Sequence, residues 1–378
     1  MKIPLFDLDY DNREAKAVLN VLDSKWLSMG ESTKAFEAAF AGFLGVKHAI
    51  ALNNCTAGLH LAYKSVGLTA GDEVICPSLS FVATSNAILY SGAKPVFVDI
   101  SSKDNWTISP EKIEKAITGK TKAIVVMHYA GFACSMNEIM QIAKKHNLKV
   151  IEDCAHSPGS KLNGKHLGTF GDVSAFSFFS NKNLSTGEGG MVCTNNDNIA
   201  DQVRLYRSHG MTSLSLDRHK GHAFSYDVIS PGYNYRIDEI RSALGLVQLK
   251  KLENNNQKRR EIAKYYFEKL QDISEIKIPF LNHEGLPNYH IFPVLLDEKM
   301  DREALMKFLR EKGIQSSIHY PSIHKFTYYH NKVKSTLSEL NLTECISLNE
   351  LTLPMYSGMN NKQINYIELQ LKEFLLKT

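Results

Sequence analysis

Residues 72–100 read DEVICPSLSFVATSNAILYSGAKPVFVDI. The segments DEVICPS and KPVFVDI are short apolar runs typical of buried strands, and FVATSNAILYSG between them has the length and periodicity of a helix. A strand, a helix and a second strand in this order form a right-handed crossover between two parallel strands. The stretch therefore predicts an α/β fold in which helices pack on a parallel sheet.

The same alternation extends on both sides of this stretch, up to about residue 200. Strand-like segments HAIALNN, KAIVVMH, LKVIEDC, VSAFSFF and MVCT accompany the helix-like segments TAGLHLAYKSVG (56–67) and SMNEIMQIAKKHN (135–147). This pattern predicts a mostly parallel central sheet with helices on both faces. In such a sheet, ligands bind at the carboxyl ends of the strands.

A different pattern begins near residue 236 with one long helical run, IDEIRSALGLVQLKKLENNNQKRREIAKYYFEKLQ. A smaller mixed segment follows, with strand-like YHIFPVLL and IQSSIHY, helix-like DREALMKFLREKG and a last helix from about residue 361. We predict a large domain over residues 1–245 and a small C-terminal α/β domain over residues 246–378.

The composition of the 378 residues excludes several classes of protein. The net charge of +4 is spread along the chain, without the basic tract that tracks nucleic acid. We expect neither a signal peptide nor a membrane span, since no long apolar run occurs. The six cysteines show no metal-type spacing, so we expect reduced thiols, no metal site and a cytoplasmic protein.

Polar or aromatic residues follow three of the predicted strands. Asp153 closes LKVIEDC, either as a loop cap or as an acceptor for a protonated nitrogen in the crevice. Thr56 and Ala57 follow HAIALNN where a helix begins, which is either an ordinary helix start or a phosphate site. Phe81 follows DEVICPS and is either a core residue or a platform on which a flat ring stacks. Each observation alone leaves both interpretations open.

Lys182 lies between two strand-like segments, in SFFSNKNLSTGEGGM (177–191). It belongs either to an exposed hairpin loop, as most lysines do, or to a buried site where its amine does chemistry. A phosphate-binding helix start, a stacking ring, a buried carboxylate and then a lysine are together what pyridoxal 5′-phosphate requires. The combination therefore favours chemistry at Lys182, whose pKa we expect to be lowered.

The chain resembles the DegT/DnrJ/EryC1/StrS family of pyridoxal-phosphate-dependent nucleotide-sugar aminotransferases, which have the aspartate-aminotransferase fold (fold type I). The resemblance covers nearly the whole chain and rests on many ordered motifs. They run from SKWLSMGESTKAFEAAFAGFLG (24–45) through NCTAGLHLA, CPSLSFVATSNAI, GAKPVFVDI, VIEDCAHSPGS, SFFSNKNLSTGEGGM and GYNYRIDEIRSALGLVQL to IHYPSIH and LTLPM.

The resemblance implies a role for individual residues. Lys182 corresponds to the lysine that holds the cofactor and moves the proton, and Asp153 to the partner of the ring nitrogen. The other implied cofactor contacts are Thr56, Ala57 and Ser177 at the phosphate, Phe81 stacked on the ring, His156 at the phenolic oxygen, and Asn234 reaching the phosphate of the partner subunit. Many members have Gly where this chain has Cys55.

The resemblance also implies the reaction. L-Glutamate gives its amino group to the cofactor, which passes it to a ketone on a nucleoside-diphosphate sugar, preferably a 4-keto-6-deoxyhexose, with a 3-keto sugar as the close rival. Such a protein takes part in amino-sugar and surface polysaccharide biosynthesis and works as a homodimer with shared active sites. The implied substrate contacts are Trp26, His319 and Tyr320. The loop over residues 207–228 is dense in Arg, Lys and His. It is either an ordinary solvated loop or a segment that meets the diphosphate of the sugar nucleotide, with Arg218, His219 and Lys220 as the candidate contacts.

Two other functions stay open at this point. The chain could be a pyridoxal-phosphate-binding regulator with little turnover, or an aminotransferase for a ketone without a nucleotide, such as a keto-cyclitol. The retained lysine argues against a third relative, the sugar 3-dehydratases of the family, because these have histidine in place of Lys182.

Overall fold

A computed structural model of the chain describes residues 1–212, 225–333 and 339–377. Its centre is a seven-stranded sheet in the order β1-β9-β8-β5-β4-β2-β3. Strand β9 runs antiparallel to both neighbours, and the remaining pairings from β8 to β3 are parallel. The strands of this sheet are β1 His48–Leu52, β2 Glu73–Pro77, β3 Lys94–Val98, β4 Thr121–Met127, β5 Lys149–Asp153, β8 Val173–Ser177 and β9 Gly190–Thr194. The prediction of a mostly parallel sheet is confirmed.

Helices cover the central sheet, and several of them begin after a residue whose side chain caps the helix. Helix α3, for example, begins after Asn54, whose side chain accepts a hydrogen bond from the backbone N–H of Ala57. The helices up to this point in the fold are α1 Asn12–Asp23, α2 Glu31–Leu44, α3 Cys55–Ser65, α4 Ala83–Tyr90, α5 Pro110–Ala116, α6 Met136–His146 and α7 Asp197–Arg207. A two-stranded hairpin of β6 Lys161–Leu162 and β7 Lys165–His166 lies between β5 and β8.

The C-terminal part contains a separate three-stranded antiparallel sheet in the order β10-β11-β12. Its strands are β10 Ile276–Lys277, β11 Phe292–Leu296 and β12 Glu350–Leu353, and the accompanying helices are α8 Glu239–Leu270, α9 Arg302–Glu311, α10 Asn341–Asn349 and α11 Asn361–Leu375. The predicted strand IQSSIHY is wrong, because its backbone makes only isolated bridges, from Ile314 to Ile3 and from Ser317 to Thr352.

Helix α8 runs without a break through residue 245, where we predicted the division between the domains. Its first half packs through Leu252 into the apolar cluster beneath the central sheet. Its second half packs through Ile262 and Tyr266 into the core of the small sheet. The helix thus joins the two cores, and the boundary at 245/246 stays a prediction.

The end of β5 is held by a buried carboxylate, Glu152. One of its oxygens accepts hydrogen bonds from His128 Nε2 and the backbone of Gly168, and the other accepts from the backbones of Phe170 and Gly171. All four lie within 3.0 Å of the carboxylate oxygens. This network fixes the strand end from which the next residue, Asp153, points to the opposite face.

No helix in the described ranges combines the length and the apolar character needed to cross a membrane.

Candidate active site

A cavity of about 790 Å³ opens at the carboxyl ends of the parallel strands. This is where open α/β sheets bind their ligands. The predicted site residues that line it are Thr56, Ala57, Phe81, Asp153, His156, Ser177, Lys182, His319 and Tyr320. Residues from five separate segments of the sequence therefore meet in one place, as the motif order predicted.

Two of the remaining predicted residues lie outside this cavity, and three are not among the described residues. Asn234 is exposed and pairs through its backbone with Ser208, outside the cavity of its own chain. Trp26 is half-buried against Gly30 and does not line the cavity either. The predicted contacts Arg218, His219 and Lys220 fall outside the described residues.

One end of the cavity is formed by the start of helix α3. The first N–H groups of an α-helix have no partner within the helix, and the helix dipole favours an anion there. Gly190 on β9 lies directly against this start: a Cβ placed on it would meet the backbone carbonyl of Asn54 at 2.6 Å and the nitrogen of Cys55 at 2.7 Å. Ser177, at the end of β8, adds a hydroxyl on the same side of the cavity. The residues at this end fit a phosphate group.

A buried carboxylate lies deeper in the cavity. Asp153 accepts hydrogen bonds from the hydroxyl of Thr84 at 2.7 Å and the backbone N–H of Ala155 at 3.0 Å. Burial raises the pKa of Asp153, while these two bonds and the charge of Lys182 oppose the rise. Each oxygen keeps a free lone pair, so the carboxylate can accept a further hydrogen bond from a protonated ring nitrogen.

Lys182 reaches the cavity from the loop between β8 and β9. Burial lowers the pKa of its amine to about 8, and the neighbouring Cys55 and Asp153 act in the opposite direction. An amine with this pKa is partly unprotonated near neutral pH and can attack an aldehyde. Lys182 is half-buried and lines the cavity, so it is not an ordinary exposed lysine of a hairpin loop.

Two aromatic residues stand beside the lysine. The Nδ1 of His156 accepts a hydrogen bond from the backbone N–H of Ala130, at 3.3 Å, so the proton of the neutral ring is on Nε2. This Nε2 lies 2.8 Å from the hydroxyl of Tyr320 and donates to it. Burial, followed by the charge of Lys182, holds the pKa of His156 well below its usual value. The hydroxyl proton of Tyr320 is then available to a ligand.

His319 is held by a chain of buried polar groups. Its Nδ1 lies 2.8 Å from the hydroxyl of Thr352, which in turn donates to the carboxylate of Glu350. Burial lowers the pKa of His319 to about 3 and raises that of Glu350 to about 8.

Exposed aromatic rings and the guanidinium of Arg241 lie at the mouth of the cavity. Phe81 is 56% exposed, so it is not a core residue, and its ring lies 5.9 Å from that of Tyr320. Tyr90 is similarly exposed on the same rim. Arg241, the first cationic residue of α8, also lines the cavity, bonded to Asp238 at 2.7 Å and to the backbone oxygen of Asn53 at 3.3 Å.

The residues that sequence reasoning missed include Thr84, Asn183, Arg241 and His290. None of them follows a predicted strand end, and three lie in segments assigned to helices or strands for their apolar periodicity. His290 lies next to Lys182 in the structure although 108 residues separate them in the sequence.

The fold and these side chains define the class: a pyridoxal-phosphate enzyme of the aminotransferase type. A family model, the DegT/DnrJ/EryC1/StrS aminotransferase family, matches residues 8–372. The chain belongs to this family, and it is a sugar aminotransferase that depends on pyridoxal 5′-phosphate. The resemblance read from the motifs is confirmed.

Three known proteins illustrate the similarity. The spore coat polysaccharide biosynthesis protein SpsC of Bacillus subtilis is 37% identical over 357 residues, 93% of this chain and 92% of SpsC. PseC of Helicobacter pylori, an aminotransferase involved in the biosynthesis of pseudoaminic acid, has a similar structure, with a TM-score of 0.94, 32% identity and full coverage of both chains. The sugar aminotransferase Spr1654 of Streptococcus pneumoniae, solved in its PLP form, has a TM-score of 0.91 and 26% identity over 99% of this chain and 98% of its own.

Proposed function

We propose that this enzyme transfers the amino group of L-glutamate to a keto sugar linked to a nucleoside diphosphate, preferably a 4-keto-6-deoxyhexose. One observation carries the proposal: a buried amine of lowered pKa, a buried carboxylate and a helix start meet in one cavity. The family resemblance supplies the nucleotide-linked acceptor, and the cavity of about 790 Å³ is large enough for a ligand of that size.

The residues that line the cavity have separate roles in the proposed reaction. Pyridoxal 5′-phosphate, when bound, supplies an aldehyde that carries the amino group and a ring that withdraws electrons. Asp153 would accept a hydrogen bond from the protonated ring nitrogen, and Thr56, Ala57 and Ser177 would bind the phosphate. Lys182 would hold the aldehyde, and its Nζ would move a proton as general base and acid.

The aromatic residues position the rings and the sugar. Phe81 would stack on the cofactor ring, and His156 would face its phenolic oxygen. His319 and Tyr320 line the part of the cavity where the keto sugar binds, and the free hydroxyl proton of Tyr320 suits a sugar oxygen. Trp26, Arg218, His219 and Lys220 remain predicted substrate contacts.

The first experiment separates an enzyme from a regulator that only binds the cofactor. L-Glutamate is added to the purified yellow protein, and the absorbance of bound pyridoxal phosphate is followed. We expect this absorbance to disappear in the parent and to be absent from the start in Lys182→Ala. An unchanged spectrum of the parent would favour the regulator.

The second experiment identifies the acceptor. The aminated protein is incubated with UDP-, dTDP- and GDP-linked keto sugars, and the return of the absorbance is measured. A keto-cyclitol without a nucleotide serves as the competing substrate. Return of the absorbance with the keto-cyclitol alone would contradict the nucleotide-linked acceptor.

We also propose a homodimer in which Asn234 of each subunit completes the site of the other. The exposed position of Asn234, outside its own cavity, supports this arrangement. A mixed dimer of Asn234→Ala and Lys182→Ala chains should regain activity, because one of its two sites is then intact. Full activity of a monomer would refute the shared site.

The cellular role belongs to the same proposal. Similarity to SpsC supports a function in surface polysaccharide biosynthesis. All six cysteines are free thiols, which supports a cytoplasmic location. Gel filtration and cell fractionation test the dimer and the location directly.

A further inference from the structure

His290 is a buried residue of the small domain that contacts the lysine of the large domain. It lies just before β11, is 4% exposed, and its Nε2 is 3.2 Å from the Nζ of Lys182. Its ring also lies against that of His156, with 4.3 Å between the centroids. A histidine in direct contact with the reacting amine has a position from which it can orient that amine.

The hydrogen bonds of Asn183 determine which nitrogen of His290 carries the proton. The amide nitrogen of Asn183 donates to the backbone oxygen of Asn288 at 3.1 Å and to Oδ1 of Asn256 at 2.8 Å. A backbone oxygen only accepts, so the orientation of this amide is fixed. The Oδ1 of Asn183 therefore faces the Nδ1 of His290, at 3.1 Å, and accepts a hydrogen bond from this protonated nitrogen. The lone pair on Nε2 is left facing Lys182.

The surroundings keep His290 neutral. Burial, followed by the nearby charge of Lys182, holds the pKa of His290 well below its usual value. Arg259 reinforces this effect and donates to the backbone oxygens of Tyr289 and His290, which anchors the residue. The titratable and charged groups that face the pair are His156, His319 and Arg259 on the side of His290, and Cys55 and Asp153 on the side of Lys182.

We infer that His290 is a positioning residue for Lys182, and that Asn183 makes it one by fixing its tautomer. The Nε2 of His290 accepts one hydrogen of Nζ and holds the side chain in the rotamer that points the amine into the cavity. This inference rests on the proposed role of Lys182. It adds to the site a residue from the C-terminal part of the chain, His290, which orients the amine of Lys182.

The first test compares His290→Phe, which keeps a ring but removes the acceptor, with His290→Gln, which keeps an acceptor oxygen. A matched control is His283→Phe, a partly buried histidine of the same region that bonds to the backbone of Ala133. The pKa of Lys182 is measured on the protein freed of cofactor, by competitive acetylation over a range of pH and mass spectrometry.

We expect the pKa of Lys182 to fall by about one unit in His290→Phe, because an acceptor stabilises the ammonium more than the amine. His290→Gln and His283→Phe should keep the parent value of about 8. The rate of pyridoxal phosphate capture, measured at pH 10 where the amine is free in every variant, should fall about tenfold in His290→Phe and recover in His290→Gln.

A double-mutant cycle tests the contribution of Asn183. Asn183→Leu lets the proton of His290 move to Nε2, where it opposes the ammonium of Lys182, so the same fall in pKa is expected. The two changes should not add in Asn183→Leu/His290→Phe, because they disturb one contact. If His290→Phe does not fold, Asn183→Leu decides by the same measurement.

The outcomes separate this inference from the proposed function. An unchanged pKa and capture rate in His290→Phe, with Lys182→Ala still unable to capture the cofactor, would overturn the positioning role alone. Native-like transamination by Lys182→Ala would remove Lys182 from its role, and the inference with it.

Discussion

The lowered pKa of Lys182 makes a prediction about stability that is independent of catalysis. Unfolding returns this amine to water, where its pKa is about 10.5, whereas in the fold it is about 8. Between these values the unfolded chain binds a proton that the folded chain does not, so the stability of the fold rises with pH. Below pH 8 both states are protonated, and the fold bears the full cost of the buried charge.

The size of this effect follows from the shift in pKa. At about 1.4 kcal/mol per pKa unit, the buried ammonium destabilises the fold by about 3 kcal/mol at pH 7 and by less than about 1 kcal/mol at pH 10. Lys182→Met removes the charge and keeps the length of the side chain. It also leaves the Nε2 of His290 without its donor, at a cost of about 1–3 kcal/mol that does not depend on the charge of the lysine.

The prediction therefore concerns a difference between two pH values. The free energy of unfolding of Lys182→Met minus that of the parent should be about 2.5 kcal/mol larger at pH 7 than at pH 10. Urea unfolding of the full-length protein, freed of pyridoxal phosphate, measures both values. Lys94→Met, at an exposed lysine, is the control and should give the same difference at both pH values. A pH-independent effect of Lys182→Met would show that the amine is not a buried, weakly basic group.

Three further predictions concern the cofactor and the substrate. Gly190→Ala should weaken pyridoxal phosphate binding at least about tenfold in equilibrium dialysis, since its Cβ would collide with the backbone before α3, whereas Gly42→Ala meets open space and should bind normally. Asp153→Asn should retain the cofactor but slow the glutamate half-reaction about 10²-fold or more in stopped-flow absorbance, and an unchanged rate would make Asp153 a structural cap. Arg241 lines the cavity as a cation that can pair with the diphosphate of the sugar nucleotide, so Arg241→Gln should raise KM for that substrate about tenfold with the glutamate half-reaction unchanged. Equal effects on both half-reactions would exclude such a contact.

The alternation of strands and helices was enough to predict the central sheet and the edge at which the cavity opens. Periodicity reports burial of side chains on one or both faces, and in a parallel sheet this signal is strong. It failed for IQSSIHY, where Ile314, Ile318 and Tyr320 fall on one face of an extended chain but the backbone pairs only at Ile314 and Ser317. A short alternating segment does not reveal whether a partner strand lies beside it.

The site was predictable where its residues follow strand ends, and not where they come from elsewhere. Thr84 lies inside α4, and its hydroxyl bonds to Asp153 only because two neighbouring parts of the fold converge. His290 reads as the start of an apolar strand, and nothing in its sequence neighbourhood indicates the lysine 108 positions earlier. Contacts of this kind depend on how segments distant in the sequence pack together, and local patterns do not contain this information.

The glycine-rich composition of the lysine loop is typical of a mobile segment, yet the structure shows a fixed one. The residues from Asn183 to Thr186 are buried, and Ser185 accepts a hydrogen bond from the hydroxyl of Tyr10 at 2.8 Å. The glycines are needed for the backbone conformation instead. Gly187 adopts a positive φ of 82°, and Gly190 lets β9 lie close to the start of α3. The entropy of ordering the amine is therefore lost during folding rather than in each reaction cycle, so the burial that destabilises the charged Lys182 also holds it ready to react.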